Sequence, residues 1–319
     1  MNNFDYWKKR RQDEETYIKQ KMSDDEQVYK VIQAHMNQAV RNINDDVAKL
    51  YDRLGGGDAI TYSDMLKNVN QKDIRAFEYD IKDIINKARN MESLYNRKLT
   101  YSDFTDEINS RMKVYNATMR INRLEHLKAQ MGLHMAKLGI NLDSDLSANL
   151  SDEYIEELKR QSGILGITNK VPTDFSSVFK IVHASSGAGD FSSRIWSNLD
   201  NLKSQLDITL NNAVIKGLNP RAFSKEFNKQ VADTIKKRSY VMNRLAVTEL
   251  SKVRIEAQKQ SVVKNGYKKL GWVAEPRSST CSICRSRDGK IYDIDDLPQA
   301  PAHPFCKCST FAYYRRSED

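Results

Sequence analysis

Two short segments, Cys281-Ser282-Ile283-Cys284 and His303-Pro304-Phe305-Cys306-Lys307-Cys308, hold all four cysteines of the 319-residue chain. The C-x2-C spacing places two thiolates on one side of a tight loop, where both can reach a metal ion at about 2.3 Å. The second segment offers three further donors. Because five donors are available for four positions, two ligand sets are open: all four cysteines, or three of them together with His303.

The donor chemistry favours zinc. Thiolates in tetrahedral number suit this metal, and the usual spacings of iron–sulfur cysteines are absent. Disulfides are disfavoured because the cysteines form one local cluster and no secretory signal precedes them. A catalytic zinc needs an open coordination position and a general base. The sequence has no His-Glu-x-x-His motif, and His303 lacks the His-x-Glu context of the zinc deaminases. The pattern therefore predicts a structural zinc site.

The residues around the cysteines have the composition of short β-strands. Gly271-Trp272-Val273-Ala274 and Ile291-Tyr292 are candidate strands, and Asp288-Gly289 is a strong hairpin signal between them. So few apolar residues cannot stabilise a fold alone. We therefore expect the metal to contribute stability on the order of several kcal/mol.

The amino-terminal half has the periodicity of helices. Residues 1–165 contain no proline, and their apolar residues recur at three- and four-residue spacing. Ser23-Asp24-Asp25-Glu26 fits a capping box, which predicts that a helix begins there and ends at Gly55-Gly56-Gly57. Further helices are predicted around 63–69, over 72–95, and from near Ser102 to Gly139.

Glycine, serine and proline interrupt this pattern between residues 163 and 190. They predict a linker with one short strand at Val178–Val182. Helices are predicted again from Phe191 to Gly217. A further helix starts at Asn219-Pro220 and extends to Gly266, with a break near Ser239.

These signals predict a mainly α protein, with elongated helical amino-terminal and central regions and a small carboxyl-terminal α+β module stabilised by zinc. The predicted domains are a helical domain (1–165), a linker region (166–190) and a third domain (191–319). The third domain divides into helices (191–265) and the zinc module (266–319).

The net charge of +9 arises in the last third of the chain, where residues 203–319 contain 22 Lys and Arg against 12 Asp and Glu. Such an excess attracts phosphate backbones or an acidic protein surface, without specifying which. Four residues of the predicted helix are candidate nucleic-acid contacts: Lys236, Lys237, Arg238 and Arg244. No apolar run of about 18 residues occurs, so no membrane anchor is expected.

Several motifs of the last third occur in a recognisable order. They are Ala246-Val247-Thr248-Glu249, Tyr267, Gly271-Trp272, Cys281-x2-Cys284, Asp288-Gly289-Lys290 and His303-Pro304-x-Cys306-x-Cys308. This series resembles the phage head morphogenesis domain of the Mu F-like minor head proteins. Phe191-Ser192-x-Arg194-Ile195-Trp196 and the helix after Asn219 are similar to what precedes that domain in phages of Gram-positive hosts. The amino-terminal half shares only its helical character with the family.

The resemblance implies a minor capsid protein of a tailed phage, internal to the head and associated with the portal protein. It implies contact with packaged double-stranded DNA and a role in head assembly, DNA packaging or genome ejection, without enzymatic activity. Scaffolding and major capsid proteins are further candidate partners. The implied location is the virion near the portal, and the host cytoplasm during assembly.

Two other classes of function stay open on sequence grounds. One is a zinc-dependent DNA-processing enzyme such as a nuclease, although neither clustered acids with a histidine nor a His-Asn-His pattern supports it. The other is a DNA-binding regulator, for which the long helical amino-terminal half is atypical.

Overall fold

A computed structural model describes residues 3–54, 69–94, 123–166, 175–183, 190–216 and 220–314. Helices dominate these ranges, which confirms the predicted fold class of a mainly α protein with a small carboxyl-terminal sheet. The long elements in chain order are α1 (Asn3–Leu54), α2 (Gln71–Leu94), α3 (Arg123–Leu165), α4 (Phe175–Val182), α5 (Phe191–Ile215) and α6 (Pro220–Lys264). They are followed by β1 (Lys269–Val273), α7 (Ser282–Arg287), β2 (Ile291–Asp293) and β3 (Ser309–Tyr313).

The first helix begins much earlier than its sequence predicts. The capping box at Ser23 suggested a start there, but α1 extends from Asn3 and passes through Ser23 without interruption. The reason is tertiary: Ile18 and Asp25, on either side of Ser23, are both buried, and Asp25 pairs with Arg254, so the helix continues through the capping box. Residues 63–68 of one predicted helix, the predicted helix start near Ser102 and the glycines at 55–57 lie outside the described residues.

Three further predictions about helices are wrong. Helix α3 continues through Gly139, which ends no helix: a Cβ atom there would lie 2.5 Å from the ring of Trp196. The predicted strand at Val178–Val182 belongs to α4, because its two valines are one turn apart and both are buried. Ser239 does not break α6, since it is buried on the packed face of that helix.

The small sheet contains the order β2-β1-β3, with both pairs antiparallel. Asp288 and Gly289 do not close a two-residue hairpin, because α7 lies between β1 and the turn. Gly289 has a φ of 72°, which favours glycine, and its N–H donates to the carbonyl of Trp272 over 2.9 Å. Strand β3 was not predicted. It places Phe311 opposite Gly271, whose missing side chain leaves room for the ring.

The chain divides into two compact units, each built from segments that are distant in sequence. Unit 1 contains Met1–Val31, Leu146–Ala184 and Asn243–Asp319, and therefore the sheet and all the cysteines. Unit 2 contains Ile32–Asp145 and Ser185–Met242. Within the described ranges, no helix combines the length and the apolar character that crossing a membrane requires.

Candidate metal centre

The side chains of all five predicted donors converge in unit 1. The Nε2 atom of His303 lies 3.2 Å from the Sγ of Cys281 and 3.2 Å from the Sγ of Cys284. The Sγ atoms of Cys284 and Cys306 are 3.7 Å apart. Two groups of donor atoms have members within 4.8 Å of one another: Cys281, Cys284 and His303, and Cys284, Cys306 and Cys308. Cys284 belongs to both groups and is the centre of the cluster.

The first cysteine pair is held at the start of a short helix. Cys281 is the N-cap residue of α7, and its Sγ accepts the N–H of Cys284 over 3.3 Å. This arrangement turns both sulfur atoms to the same side, as the C-x2-C spacing predicted. The N–H of Cys284 also lowers the pKa of the Cys281 thiol, which favours the thiolate form that metals bind.

A tight turn supplies the histidine. The Nδ1 of His303 is 2.8 Å from the carbonyl oxygen of Pro304, so an N–H at Nδ1 donates to that oxygen and leaves the lone pair of Nε2 free. The N–H of Cys306 donates to the carbonyl of His303 over 3.1 Å, and Phe305 between them has a φ of 62°. Such a backbone conformation costs energy in a residue other than glycine, so neighbouring contacts must hold it.

Helix α6 provides those contacts. The hydroxyl of Thr248 accepts the N–H of Phe305 over 3.2 Å, and the hydroxyl of Ser251 donates to the carbonyl of Cys306 over 2.6 Å. Two turns later, the side chain of Gln258 accepts the N–H of Thr310 over 3.0 Å. Thr248 belongs to the Ala246–Glu249 motif, whose role the sequence alone did not reveal. Its hydroxyl positions the ligand loop.

Burial and hydrogen bonds distribute charge unevenly among the thiols. A hydrogen bond with Cys308 lowers the pKa of Cys306 to about 5, and the same bond raises the pKa of Cys308. Burial, followed by the charge on Cys306, raises the pKa of Cys284 to about 12. Several adjacent thiolates repel one another, and a divalent cation removes that repulsion. The cluster could therefore hold a metal ion.

The donor set fits a tetrahedral metal ion. With metal–sulfur distances of about 2.3 Å, two thiolates of a tetrahedron lie roughly 3.8 Å apart, and Cys284 and Cys306 approach that separation. Cys284, Cys306 and Cys308 are buried together with Trp272 and Ala274 in one small cluster. The cysteines therefore form much of the interior of the module, as expected for a structural centre.

The four candidate nucleic-acid contacts lie on α6. Lys236 and Lys237 are exposed and belong to unit 2, and Arg244 is exposed further along the same helix in unit 1. Arg238 is half-buried and is rotated by about 200° around the helix axis from Lys236. Lys225 and Lys229 are exposed on the same side as Lys236. The exposed basic face thus contains Lys225, Lys229, Lys236 and Lys237, and it excludes Arg238.

Comparison with known proteins supports the family suggested by the sequence. Residues 204–311 match the family model described as Phage Mu protein F like protein. The match covers about a third of the chain, and it includes all of α6, most of the sheet and all five donors of the metal centre. It confirms that this segment is Mu F-like, the family of a phage head morphogenesis protein. Searches of curated proteins and of solved structures gave no match.

Proposed function

We propose that this chain is a minor head protein of a tailed bacteriophage, located inside the head near the portal. The observation that carries the proposal is the Mu F-like segment at 204–311, with a convergent metal centre at its carboxyl end. In this role the chain binds the portal protein and contacts packaged DNA, and it acts in assembly, packaging or ejection. Its place is the virion, after assembly in the host cytoplasm.

The metal centre has a structural role in this proposal. Cys281, Cys284, His303 and Cys306 hold a zinc ion, and Cys308 donates its thiol hydrogen to the sulfur of Cys306. The Nε2 of His303 lies 3.2 Å from the sulfur atoms of Cys281 and Cys284, which supports a ligand set that includes the histidine. When bound, zinc supplies a cross-link between α7 and the loop before β3. The protein residues orient the donors and exclude water from three of the sulfur atoms.

Zinc analysis of paired variants tests the ligand set. We expect purified protein to hold one zinc per chain, Cys308→Ser to keep it, and Cys306→Ser to lose it. The pair is matched because both residues are buried and both contact Cys284. Loss of zinc in Cys308→Ser, with retention in His303→Ala, would favour the alternative set of four cysteines.

The exposed basic face of α6 is the proposed DNA contact. At 100° per residue, Lys225, Lys229 and Lys236 lie within about 40° of one another around the helix axis, and Lys237 lies about 100° from Lys236. Tyr240 is 56% exposed one turn beyond Lys236. Clustered lysines on a regular helix bind phosphates by charge, without reading bases. This face suits a protein that touches a packaged genome irrespective of sequence.

A salt titration of DNA binding tests this contact. Replacing Lys236 and Lys237 with Gln removes two phosphate contacts, so the slope of log affinity against log salt should become shallower by roughly 1.8. Lys72→Gln with Lys82→Gln, which removes two exposed charges from α2, is the matched control and should leave the slope unchanged. Equal slopes in all three proteins would contradict DNA binding by this face.

Metal-dependent DNA cleavage that His303→Ala abolishes would instead indicate a nuclease.

The location in the particle has its own test. The chain should co-purify with the portal protein of its phage, and mature particles should contain a few copies of it. If it neither binds the portal nor occurs in particles, the proposed role in the head is wrong, whatever the metal centre contains.

A further inference from the structure

The amino-terminal part of α1 is attached to the metal module by side chains spaced along one face. Arg11 binds the carboxylate of Asp288, next to α7. Ile18 packs in a buried cluster with Val273 of β1 and Phe311 of β3. Every one of these residues belongs to unit 1. The first turns of α1 therefore pack directly against the sheet that contains β1 and β3.

Asp25 connects this helix to the loop that carries two of the metal ligands. Its carboxylate is buried, with 2% of the residue exposed, and it accepts the Nη2 of Arg254 over 2.8 Å. The Nζ of Lys307 lies 3.2 Å from the other carboxylate oxygen. Lys307 stands between Cys306 and Cys308. The position of the cysteine loop and the position of α1 thus depend on the same carboxylate, that of Asp25.

Glu14 makes a second connection two residues further along the loop. It is fully buried, and its carboxylate accepts hydrogen bonds from both Nη atoms of Arg160, at 2.9 Å and 2.8 Å. It also accepts the hydroxyl of Ser309 over 2.6 Å. Ser309 follows Cys308 directly and begins β3. A shift of the cysteine loop would leave the buried carboxylates of Glu14 and Asp25 with fewer partners, which is costly.

The local sequence of α1 prefers a different helix start. Ser23-Asp24-Asp25-Glu26 is a capping box, and capping boxes stabilise helices that begin at their first residue. In the structure the helix continues through Ser23 because Glu14, Ile18 and Asp25 are held by unit 1. If those contacts are lost, the capping box offers α1 a stable alternative start at Ser23.

We propose that metal binding and the docking of residues 3–22 are coupled, so that loss of the metal releases this segment and α1 restarts at Ser23. The coupling passes through Lys307 to Asp25 and through Ser309 to Glu14. Coupling between two sites is reciprocal: if the metal stabilises docking, docking must tighten metal binding by the same factor. The proposal rests on the zinc centre proposed above, but not on any role in the phage head.

Hydrogen exchange in the full chain, with and without a zinc chelator, tests the release. The chelator should raise exchange in residues 10–22 strongly, while residues 32–50 of the same helix keep their protection because they belong to unit 2. Unchanged protection of residues 10–22 after zinc removal would contradict the coupling. An equal loss of protection in residues 146–165 would also contradict it, since the segment would then unfold together with all of unit 1.

A pair of neighbouring substitutions tests the reciprocal effect. Asp25→Asn weakens the connection to Lys307 and should weaken zinc affinity, measured by competition with a chromogenic chelator, by roughly 5- to 150-fold. Asp24→Asn is the matched control, because Asp24 is half-exposed and its ion pair with Lys21 is long, at 3.4 Å. Equal zinc affinities in both variants and the wild type would overturn the coupling while leaving the metal centre intact. Absence of zinc from the wild type would overturn both proposals.

Discussion

The two compact units bury different kinds of side chain. The described interior of unit 2 is almost entirely apolar, with Trp196, Phe227, Met36, Ile43 and Ile84 among its largest fully buried residues. Its buried polar residues are few: His126, Asp143, Ser192 and Ser239. Unit 1 buries many more, and several are charged: Glu14, Lys21, Asp25, Glu153, Glu157, Glu249 and Arg254. The same chain therefore uses two different means of holding helices together.

The difference teaches how each unit depends on particular residues. An apolar interior tolerates the loss of one contact, because hydrophobic stabilisation is distributed over area and has no direction. Buried charges are different, since removing one partner leaves the other without compensation. The proposed metal centre extends this dependence, because three thiolates and one imidazole would share one ion. We therefore expect single substitutions of buried charged residues or metal ligands to destabilise unit 1 strongly. Single substitutions in the interior of unit 2 should lower its stability by smaller amounts.

The largest effect is expected from Cys284→Ser, because Cys284 contacts both groups of donors. The variant should lose zinc, and with it a metal-binding free energy of about 10 kcal/mol in small zinc modules. Hydrogen exchange should show β1, β2 and β3 unprotected, whereas α2 and α5 in unit 2 remain protected. A zinc-free variant with a protected sheet would show that apolar packing alone holds the module.

A smaller but still large effect is expected from Arg254→Met. Arg254 is 6% exposed and donates to Asp25 and to Glu153, both over 2.8 Å. Removing it leaves two buried carboxylates short of a partner, which costs about 3–5 kcal/mol of unfolding free energy. In unit 2, Lys203→Met breaks a more accessible pair with Asp207 and should cost at most about 1 kcal/mol. Denaturant unfolding with zinc present measures the loss of unfolding free energy in both variants. Similar losses would contradict the distinction between the units.

Gly139→Ala tests the close packing of unit 2. The new Cβ would lie 2.5 Å from the ring of Trp196, and over-packing of this kind costs about 1–3 kcal/mol. Gly163→Ala in the same helix has no heavy atom within 4 Å of its Cβ, so it should stabilise the protein by about 1 kcal/mol through helix propensity. Thermal unfolding of both variants shows whether each substitution raises or lowers the stability. Stabilisation by Gly139→Ala would mean that the ring of Trp196 moves aside at no cost.

Local signals in the sequence predicted the site better than they predicted the ends of the helices. The cysteine and histidine spacing identified five donors, and all five converge. Helix composition and periodicity identified α2, α5 and α6, because those patterns reflect a single buried face. Strand β3 was missed because it follows directly from the ligand loop, without a turn signal of its own.

The features that the sequence could not reveal depend on contacts between distant segments. Gly139 looked like a helix end. Only the ring of Trp196, which leaves no room for a side chain at this position, explains why a glycine stands inside the helix. Thr248 and Ser251 support the ligand loop from more than fifty residues away, and nothing in their local pattern indicates this. The capping box at Ser23 looked like a helix start, because the residues that hold Asp25, Arg254 and Lys307, are distant in the sequence.

The smallest expected effect, from Ser23→Ala, distinguishes the two possible starts of α1 by its sign. In the zinc-loaded protein Ser23 is an exposed residue in the interior of a helix, so alanine should raise the unfolding free energy by about 0.5 kcal/mol. If Ser23 instead capped the helix, the same change would lower it by about 1 kcal/mol. Gln20→Ala, also exposed on α1, is the control and should be slightly stabilising in either case. Denaturant unfolding measures both, and the sign for Ser23→Ala should reverse once the zinc is removed, because the capping box then takes over the helix start.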